Sequence, residues 1–121
     1  MNEKVFDLKK RIFTYVLDVI SFTKSLDKNY TNQIFVTQLI RCVTSIGANY
    51  EEADGSRSKK EFIAIVGIMK KEAKETKYWL EIIEATNQNM NLEQIGKLKN
   101  EIDELIKIIA KIIINSEKSL A

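Results

Sequence analysis

The sequence predicts an all-α protein, an up-down-up-down antiparallel four-helix bundle formed by one domain over residues 1–121. The 121 residues include no proline and only four glycines, so few residues would interrupt a helix or form the turns of a many-stranded sheet. Apolar residues recur at helical spacing in four separate segments. With 45% hydrophobic residues, a chain of this length can bury a core of its own.

The first two helices follow from alternating steps of three and four between apolar residues. The first is expected over residues about 3–27. Its stripe consists of Val5, Leu8, Ile12, Tyr15, Val19, Phe22 and Leu26. Thr31 can cap the second helix through its hydroxyl, which places that helix at about 32–53. Its stripe consists of Val36, Leu39, Val43, Ile46, Tyr50 and Ala53.

Capping signals mark the start of the last two helices. Ser58 and Glu61 have the spacing of a capping box, which predicts a third helix over about 58–87. Its stripe consists of Phe62, Val66, Met69, Ala73, Leu80 and Ile83. Asn91 followed by Gln94 predicts a fourth helix over about 92–118. Its stripe consists of Ile95, Leu98, Ile102, Leu105, Ile109 and Ile112. The short connections favour antiparallel neighbours.

Composition argues against several classes of function. Cys42 is the only cysteine and histidine is absent, so neither an intrachain disulfide nor a structural zinc site is expected, and no cofactor is predicted. The N-terminus lacks an apolar signal core and no apolar run approaches the roughly 20 residues of a membrane span, which indicates a cytoplasmic protein. The sequence has no glycine-rich phosphate loop or nucleophile elbow, so we predict no enzymatic activity and no small-molecule substrate.

The fourth helix has more apolar surface than one bundle is expected to need. Ile106 and Ile108 point roughly 160° apart on a helix, so one core is not expected to bury both. The first helix adds Phe13 and Leu17 beside its main stripe. We therefore predict a homo-oligomer whose interface includes Ile106 and Ile113, because contiguous exposed apolar patches usually mark association. The alternative is a wide stripe with scattered exposed apolar residues.

The second helix has a further face made of small and polar residues. Arg41, Ser45, Ala48 and Glu52 lie within about 60° of one another, away from the apolar stripe, and Asn49 adjoins them. Small side chains allow a second backbone to approach closely, so we predict that these five residues belong to the oligomer interface. The alternative is an ordinary polar face. Two carboxylates of the third helix are the candidate ion-pair partners of Arg41, across a helix or subunit boundary. They are Glu72 and Glu75.

Lysines on the third helix could bind RNA or DNA through phosphate charge. They are Lys59, Lys60, Lys70, Lys71, Lys74 and Lys77, with Lys9, Lys10 and Arg11 of the first helix as possible additions. The alternative is a solvated face, since the net charge is only +2. A carboxylate metal site lacks the histidines of di-iron bundles. Trp79 beside a core stripe is expected to pack rather than stack on bases.

Helices two and three carry motifs that resemble a known family. The matching residues are Gln38, Leu39, Arg41, Ser45, Ile46, Ala48, Asn49, Glu52 and Ala53, then residues 58–62, then Glu72, Glu75, Thr76, Trp79 and Leu80. They resemble the ribosomal-RNA intervening-sequence proteins, some of which are encoded within bacterial large-subunit ribosomal RNA genes. The resemblance implies an up-down bundle that assembles into a homopentamer and has no known enzymatic activity.

A more distant relative is the accessory protein of diversity-generating retroelements, a basic pentameric barrel that engages nucleic acid. This sequence differs from it in being nearly neutral, with 19 basic and 17 acidic residues. We therefore expect a non-enzymatic homo-oligomeric scaffold or adaptor first, pentameric by resemblance. A nucleic-acid-binding accessory protein that uses the lysines of the third helix is the alternative.

Overall fold

The chain forms four α-helices and no strand over the residues that the computed structural model describes, which are 3–120, with side chains described from residue 7. The helices are α1 at Glu3–Lys24, α2 at Tyr30–Asp54, α3 at Lys59–Thr86 and α4 at Leu92–Leu120. The predicted all-α class is confirmed. The predicted core residue Val5 lies outside the described side chains.

The ends of the helices differ from prediction where another residue makes the cap. Asn29, and not Thr31, caps α2, because its Oδ1 accepts the backbone N–H of Asn32 at 2.8 Å. The helix therefore begins two residues earlier than expected. Ser58 caps α3 as predicted, its Oγ accepting the N–H of Glu61 at 3.1 Å. The carboxylate of Glu61, however, accepts the N–H of Arg57 instead of the N–H of Ser58, so the capping box is only half formed.

The four helices contact one another around a square. Consecutive helices pack together, and α1 also contacts α4, whereas the two diagonal pairs do not approach each other among the described residues. Lys9 near the start of α1 pairs with Glu51 near the end of α2 at 3.1 Å. These contacts are consistent with the predicted up-down-up-down arrangement.

The predicted apolar stripes form one core along the bundle axis. Twenty buried apolar residues from all four helices form a single cluster, and Phe22, Leu39, Met69, Leu80 and Ile102 are among its fully buried members. The cluster includes most residues of the four stripes. None of the helices in the described region is long and apolar enough to cross a membrane.

The expectation that one core could not bury both Ile106 and Ile108 is wrong. Both are half-buried and pack against the same core, as does Ile113. The reason is that α4 lies between two neighbours. Lys99, seven residues before Ile106, pairs with Glu84 of α3, so Ile106 lies toward α3. Glu101, seven residues before Ile108, pairs with Arg11 of α1, so Ile108 lies toward α1. The buried arc is therefore wider than one stripe. Much of the surplus isoleucine on α4 is therefore covered within one chain.

Candidate assembly surface

An ion-pair cluster centred on Arg41 joins α2 to α3. The Arg41 guanidinium contacts the Glu75 carboxylate at 3.1 Å and lies 3.7 Å from the Glu72 carboxylate. Its Nε also donates to the side-chain oxygen of Gln38 at 3.2 Å. The structure thus brings together the three residues that the sequence suggested as partners, and it does so within one chain.

Cys42 completes this cluster from the buried side. Its Sγ lies 3.3 Å from Glu75 Oε2, and burial raises the pKa of the thiol to about 12. The hydrogen bond from Cys42, followed by that from Arg41, holds the pKa of Glu75 below its ordinary value. A buried side-chain oxygen of Glu72, Oε2, has no hydrogen-bond partner. The guanidinium therefore does not satisfy the carboxylates fully.

Cys42, Glu72 and Glu75 could each direct one ligand atom to a shared point, since these atoms lie within 4.8 Å of one another. Two features weigh against a cation there. The positive guanidinium of Arg41 contacts both carboxylates, and the raised pKa of Cys42 keeps the thiol protonated whereas metal binding requires a thiolate. We interpret the cluster as an ion pair that joins two helices.

The other predicted residues of α2 lie along one edge of this helix. Ser45 and Asn49 are half-buried and bond to each other, the Asn49 amide donating to Ser45 O at 2.8 Å and to Ser45 Oγ at 2.9 Å. Ala48 and Glu52 are exposed. The small side chains of Ser45 and Ala48 thus lie between the longer Arg41 and Glu52 on this edge of α2.

Exposed apolar side chains flank α2 on both sides. On the side of α1, a shallow groove of about 520 Å³ is lined by Ile12, Phe13, Val16, Gly47 and Ala48 and bordered by lysines. Phe13 is 66% exposed and Leu17 is 52% exposed. We call this the α1/α2 face, defined by Phe13, Val16, Gly47, Ala48 and the bordering Lys9 and Lys10.

On the other side of α2, Ile68 of α3 is 47% exposed. It precedes Glu72 by one helical turn and lies on the same side of α3 as Glu72 and Glu75, which pair with Arg41. We call this the α2/α3 face, defined by Arg41, Ser45, Ile68, Glu72 and Glu75. The sequence alone does not indicate a role for Ile68, because a single isoleucine outside the apolar stripe gives no periodic signal.

The predicted basic residues divide into paired and exposed groups. Lys77 pairs with Asp103 at 2.7 Å, which raises the pKa of Lys77, and Lys59 donates to Ser119 Oγ at 2.7 Å. Lys70 is half-buried. The remaining predicted lysines, Lys60, Lys71 and Lys74, are exposed on the outer surface of α3.

Arg11 does not contribute to that basic surface, which corrects the expectation from the sequence. Its guanidinium bonds to Glu101 at 2.9 and 2.6 Å and to Glu104 at 2.7 Å, so its charge is neutralised at the contact between α1 and α4. Trp79 packs as predicted, since it is half-buried with its ring centroid 6.0 Å from that of Phe35.

The fold and these faces define an all-helical protein with exposed apolar surface on both sides of one helix. The chain belongs to the 23S rRNA-intervening sequence protein family, because the family's model matches residues 4–111. The predicted resemblance is thereby confirmed. A comparison with curated proteins finds no match.

Among solved structures, the chain is similar to a protein with unknown function from the S23 ribosomal protein family of Bacteroides thetaiotaomicron VPI-5482, known from a crystal structure at 1.70 Å resolution. The two sequences are 31% identical and superpose with a TM-score of 0.78. The match covers 88% of this chain and 97% of the other. The all-helical fold is therefore shared along almost the whole relative.

Proposed function

We propose that the protein is a non-enzymatic homo-oligomeric scaffold or adaptor, a pentamer by family resemblance. The observation that carries this proposal is the exposure of Phe13 and Leu17 beside the apolar groove of the α1/α2 face. Phe13 lines the groove, and Leu17 follows it by one turn of α1, so the two exposed side chains extend the apolar surface of the groove along α1. Such contiguous apolar surfaces usually mark association.

The total surface of the chain supports the same proposal. It exposes 7810 Å². A monomeric protein of its mass of 14.0 kDa is expected to expose about 6,700 Å². The excess is of the order of the roughly 800 Å² that each partner buries in a specific interface. The elongated shape of a bundle of long helices contributes to this excess of exposed surface. Association of copies along the sides of the bundle would bury surface of this amount.

We infer that the bundle is antiparallel and up-down-up-down. Arg41 pairs with Glu75, whereas Asn32, nearer the start of α2, bonds to Asn87 near the end of α3. Likewise Lys77 pairs with Asp103, while Lys59 near the start of α3 bonds to Ser119 near the end of α4. In each pair, a step forward on one helix is a step back on its neighbour. The free thiol of Cys42 suits a reducing compartment, so we propose a cytoplasmic location.

Light scattering coupled to size exclusion tests assembly. We expect a mass close to five times 14.0 kDa for the wild type, and a shift toward 14.0 kDa for Phe13→Asp, which places a charge in the apolar groove. Leu92→Asp is the matched control, because Leu92 is 67% exposed but lies outside both faces. A wild-type mass of 14.0 kDa would remove the proposal.

A second candidate function is RNA or DNA binding by the exposed Lys60, Lys71 and Lys74 on the outer surface of α3. The family's description, which refers to 23S rRNA, agrees with this candidate. Phosphate contacts release counterions, so binding should weaken steeply as salt rises. We expect the triple Lys→Glu variant to lose binding, whereas Lys24→Glu on exposed α1 keeps it. Absence of binding to structured RNA or duplex DNA at 50 mM salt or below would exclude this candidate.

A further inference from the structure

Two faces with exposed apolar residues adjoin the same helix. The α1/α2 face and the α2/α3 face meet along α2, and α4 lies at the opposite corner of the square of helices. The exposed large apolar residues of α4 are Leu92 near its start and Ile114 and Leu120 near its end, away from both faces. The two faces therefore differ in composition and lie on adjacent sides of the bundle.

We propose that these two faces bind each other between copies of the chain, so that the α1/α2 face of one copy packs against the α2/α3 face of the next. Repetition of this contact forms a closed ring with α2 nearest the axis. The inference rests on the proposed homo-oligomer and specifies which surfaces build it.

The apolar side chains of the two faces lie at the same height along α2. Phe13 lines the groove beside Gly47, and Ile12 Cγ2 lies 3.6 Å from the position that a Cβ on Gly47 would take. On the other face, Arg41 is opposite Glu72 and Glu75. Because α2 and α3 run in opposite directions, Ile68, one turn before Glu72, is level with residues about 45–47 of α2.

This shared height matters because rotation about an axis parallel to α2 leaves height unchanged. A ring with its axis parallel to α2 can therefore bring Phe13 of one copy against Ile68 of the next only if both lie at one level. Ser45 and Ala48 occupy the same level on α2, where their small side chains allow neighbouring helices to approach closely near the axis.

The charges that border the two faces are complementary. Lys9 and Lys10 border the α1/α2 face toward the end of α2, where Lys9 also pairs with Glu51. Near the same level, Glu52 and Glu61 are exposed beside the α2/α3 face. Lys10, which is exposed and outside the Lys9–Glu51 pair, would meet Glu52 and Glu61 of the next copy, which favours this contact over a contact between two identical faces.

The angle between the faces favours a ring over a filament. Adjacent sides of a square bundle meet at about 90°, and patches at such an angle close into a ring of roughly four or five copies. Patches on opposite sides of the bundle would instead propagate as an open filament. The pentamer implied by resemblance falls within the range that this angle allows.

Crosslinking between copies tests the contact. Two variants are made separately, Phe13→Cys and Ile68→Cys, mixed under denaturing conditions, refolded together and treated with a short bismaleimide. Both positions are exposed, so the substitutions should not disturb the core. Because Cys42 is buried, the wild-type protein should form no crosslink and serves as the negative control. We expect crosslinked dimers that contain one chain of each variant, identified by mass spectrometry.

The matched control replaces Ile68→Cys by Ile114→Cys. Lys77 pairs with Asp103 and Lys59 bonds to Ser119, so Ile114 on α4 is level with residues about 64–66 of α3. Ile114 thus lies close to the level of Ile68, but at the opposite corner of the bundle. We expect no crosslink between Phe13→Cys and Ile114→Cys. A crosslink there, or links only between identical variants, would overturn the proposed contact.

The chain with both Phe13→Cys and Ile68→Cys gives a second readout. Successive links should form a ladder on a denaturing gel that ends at the subunit number of the ring, whereas an open filament would give a ladder without an end. Absence of links in a protein whose wild type is oligomeric overturns the contact and leaves the proposed scaffold intact. A monomeric wild type removes both proposals.

Discussion

Two arginines join pairs of helices in different ways. The Arg11 guanidinium donates two hydrogen bonds to the Glu101 carboxylate, from Nε at 2.9 Å and from Nη2 at 2.6 Å. Its Nη2 also donates to Glu104 Oε2 at 2.7 Å, and the Arg11 side chain is 32% exposed. Arg41 contacts Glu75 at 3.1 Å and lies 3.7 Å from Glu72, with its side chain 53% exposed. The same residue types thus form two different contacts. Arg11, Glu101 and Glu104 form a closely bonded contact between α1 and α4, which we call the Arg11 clamp. Arg41, Glu72 and Glu75 form a looser and more exposed cluster between α2 and α3.

We interpret the Arg11 contact as one that serves the fold of a single chain, and the Arg41 cluster as part of the proposed contact with a second copy. The two-atom grip of Arg11 fixes geometry as well as charge, and the hydrogen bond to Glu101 raises the pKa of Arg11 above its ordinary value. The Arg41 cluster leaves Glu72 Oε2 without a hydrogen bond. It also lies on a face with exposed apolar surface, where a second copy could complete it.

The largest loss of stability among the polar contacts is expected for Arg11→Ala. Removal of the guanidinium leaves Glu101 and Glu104 facing each other without a counter-charge, and a partly buried two-atom pair of this kind contributes about 1–2 kcal/mol. Urea denaturation measures it. Arg57→Ala, at an exposed position, should change the midpoint little. Equal midpoints for the two variants would contradict the clamp.

A smaller loss is expected for Tyr15→Phe, which removes one buried hydroxyl from the same contact. Tyr15 donates to the backbone carbonyl of Leu98 at 2.8 Å, and burial raises the pKa of the phenol. Loss of one such bond costs about 1 kcal/mol. Tyr30→Phe, at an 81% exposed residue, is the control. Equal unfolding midpoints of Tyr15→Phe and Tyr30→Phe, in heat or urea, would show that the hydrogen bond of Tyr15 does not stabilise the protein.

The Cys42 thiol predicts a loss of stability that appears only in alkali. Its pKa rises from 9.0 to about 12 on folding, so the folded state holds the proton between those values while the unfolded state releases it. Stability should therefore be unaffected below about pH 9 and fall as pH rises toward 12. Cys42→Ala should show a shallower fall over that range. Parallel curves would mean that the thiol ionises equally in both states.

The smallest effect on folding is expected for Arg41→Ala, because its side chain is 53% exposed and its contacts with Glu75 and Glu72, at 3.1 and 3.7 Å, are longer than those of Arg11. Its effect on assembly should be larger than its effect on folding, so light scattering should show dissociation at concentrations where circular dichroism reports intact helices. Arg41→Lys should not restore assembly, since a compact ammonium lacks the planar fork with which Arg41 reaches Gln38, Glu72 and Glu75. If Arg41→Ala changed neither property, the role of this cluster in assembly would have to be abandoned.

The sequence predicted the helices well because each core stripe is periodic and three of the four starts are set by local hydrogen bonds. It misplaced the cap of α2 because Asn29 and Thr31 are both good capping residues and only the backbone decides between them. The cluster of Arg41 with Glu72 and Glu75 is predicted from the helix faces and from the preference of a guanidinium for carboxylates.

The Arg11 clamp was missed because its partners are 90 and 93 residues away, and no local spacing connects them. The exposed arc of α4 was overestimated for a related reason. Periodicity shows how apolar residues are distributed around one helix, but the width of the buried arc depends on how many neighbours the helix has. In this fold both α1 and α3 pack against α4. Ile106 and Ile108 therefore pack against the core from opposite sides of the helix.

Native mass spectrometry of the wild-type protein at micromolar concentration tests the central claim most directly, because it counts subunits. We predict one dominant species at close to five times 14.0 kDa, and the angle between the faces allows a ring of four as the other subunit number. A single species at 14.0 kDa that persists as the concentration rises would contradict it.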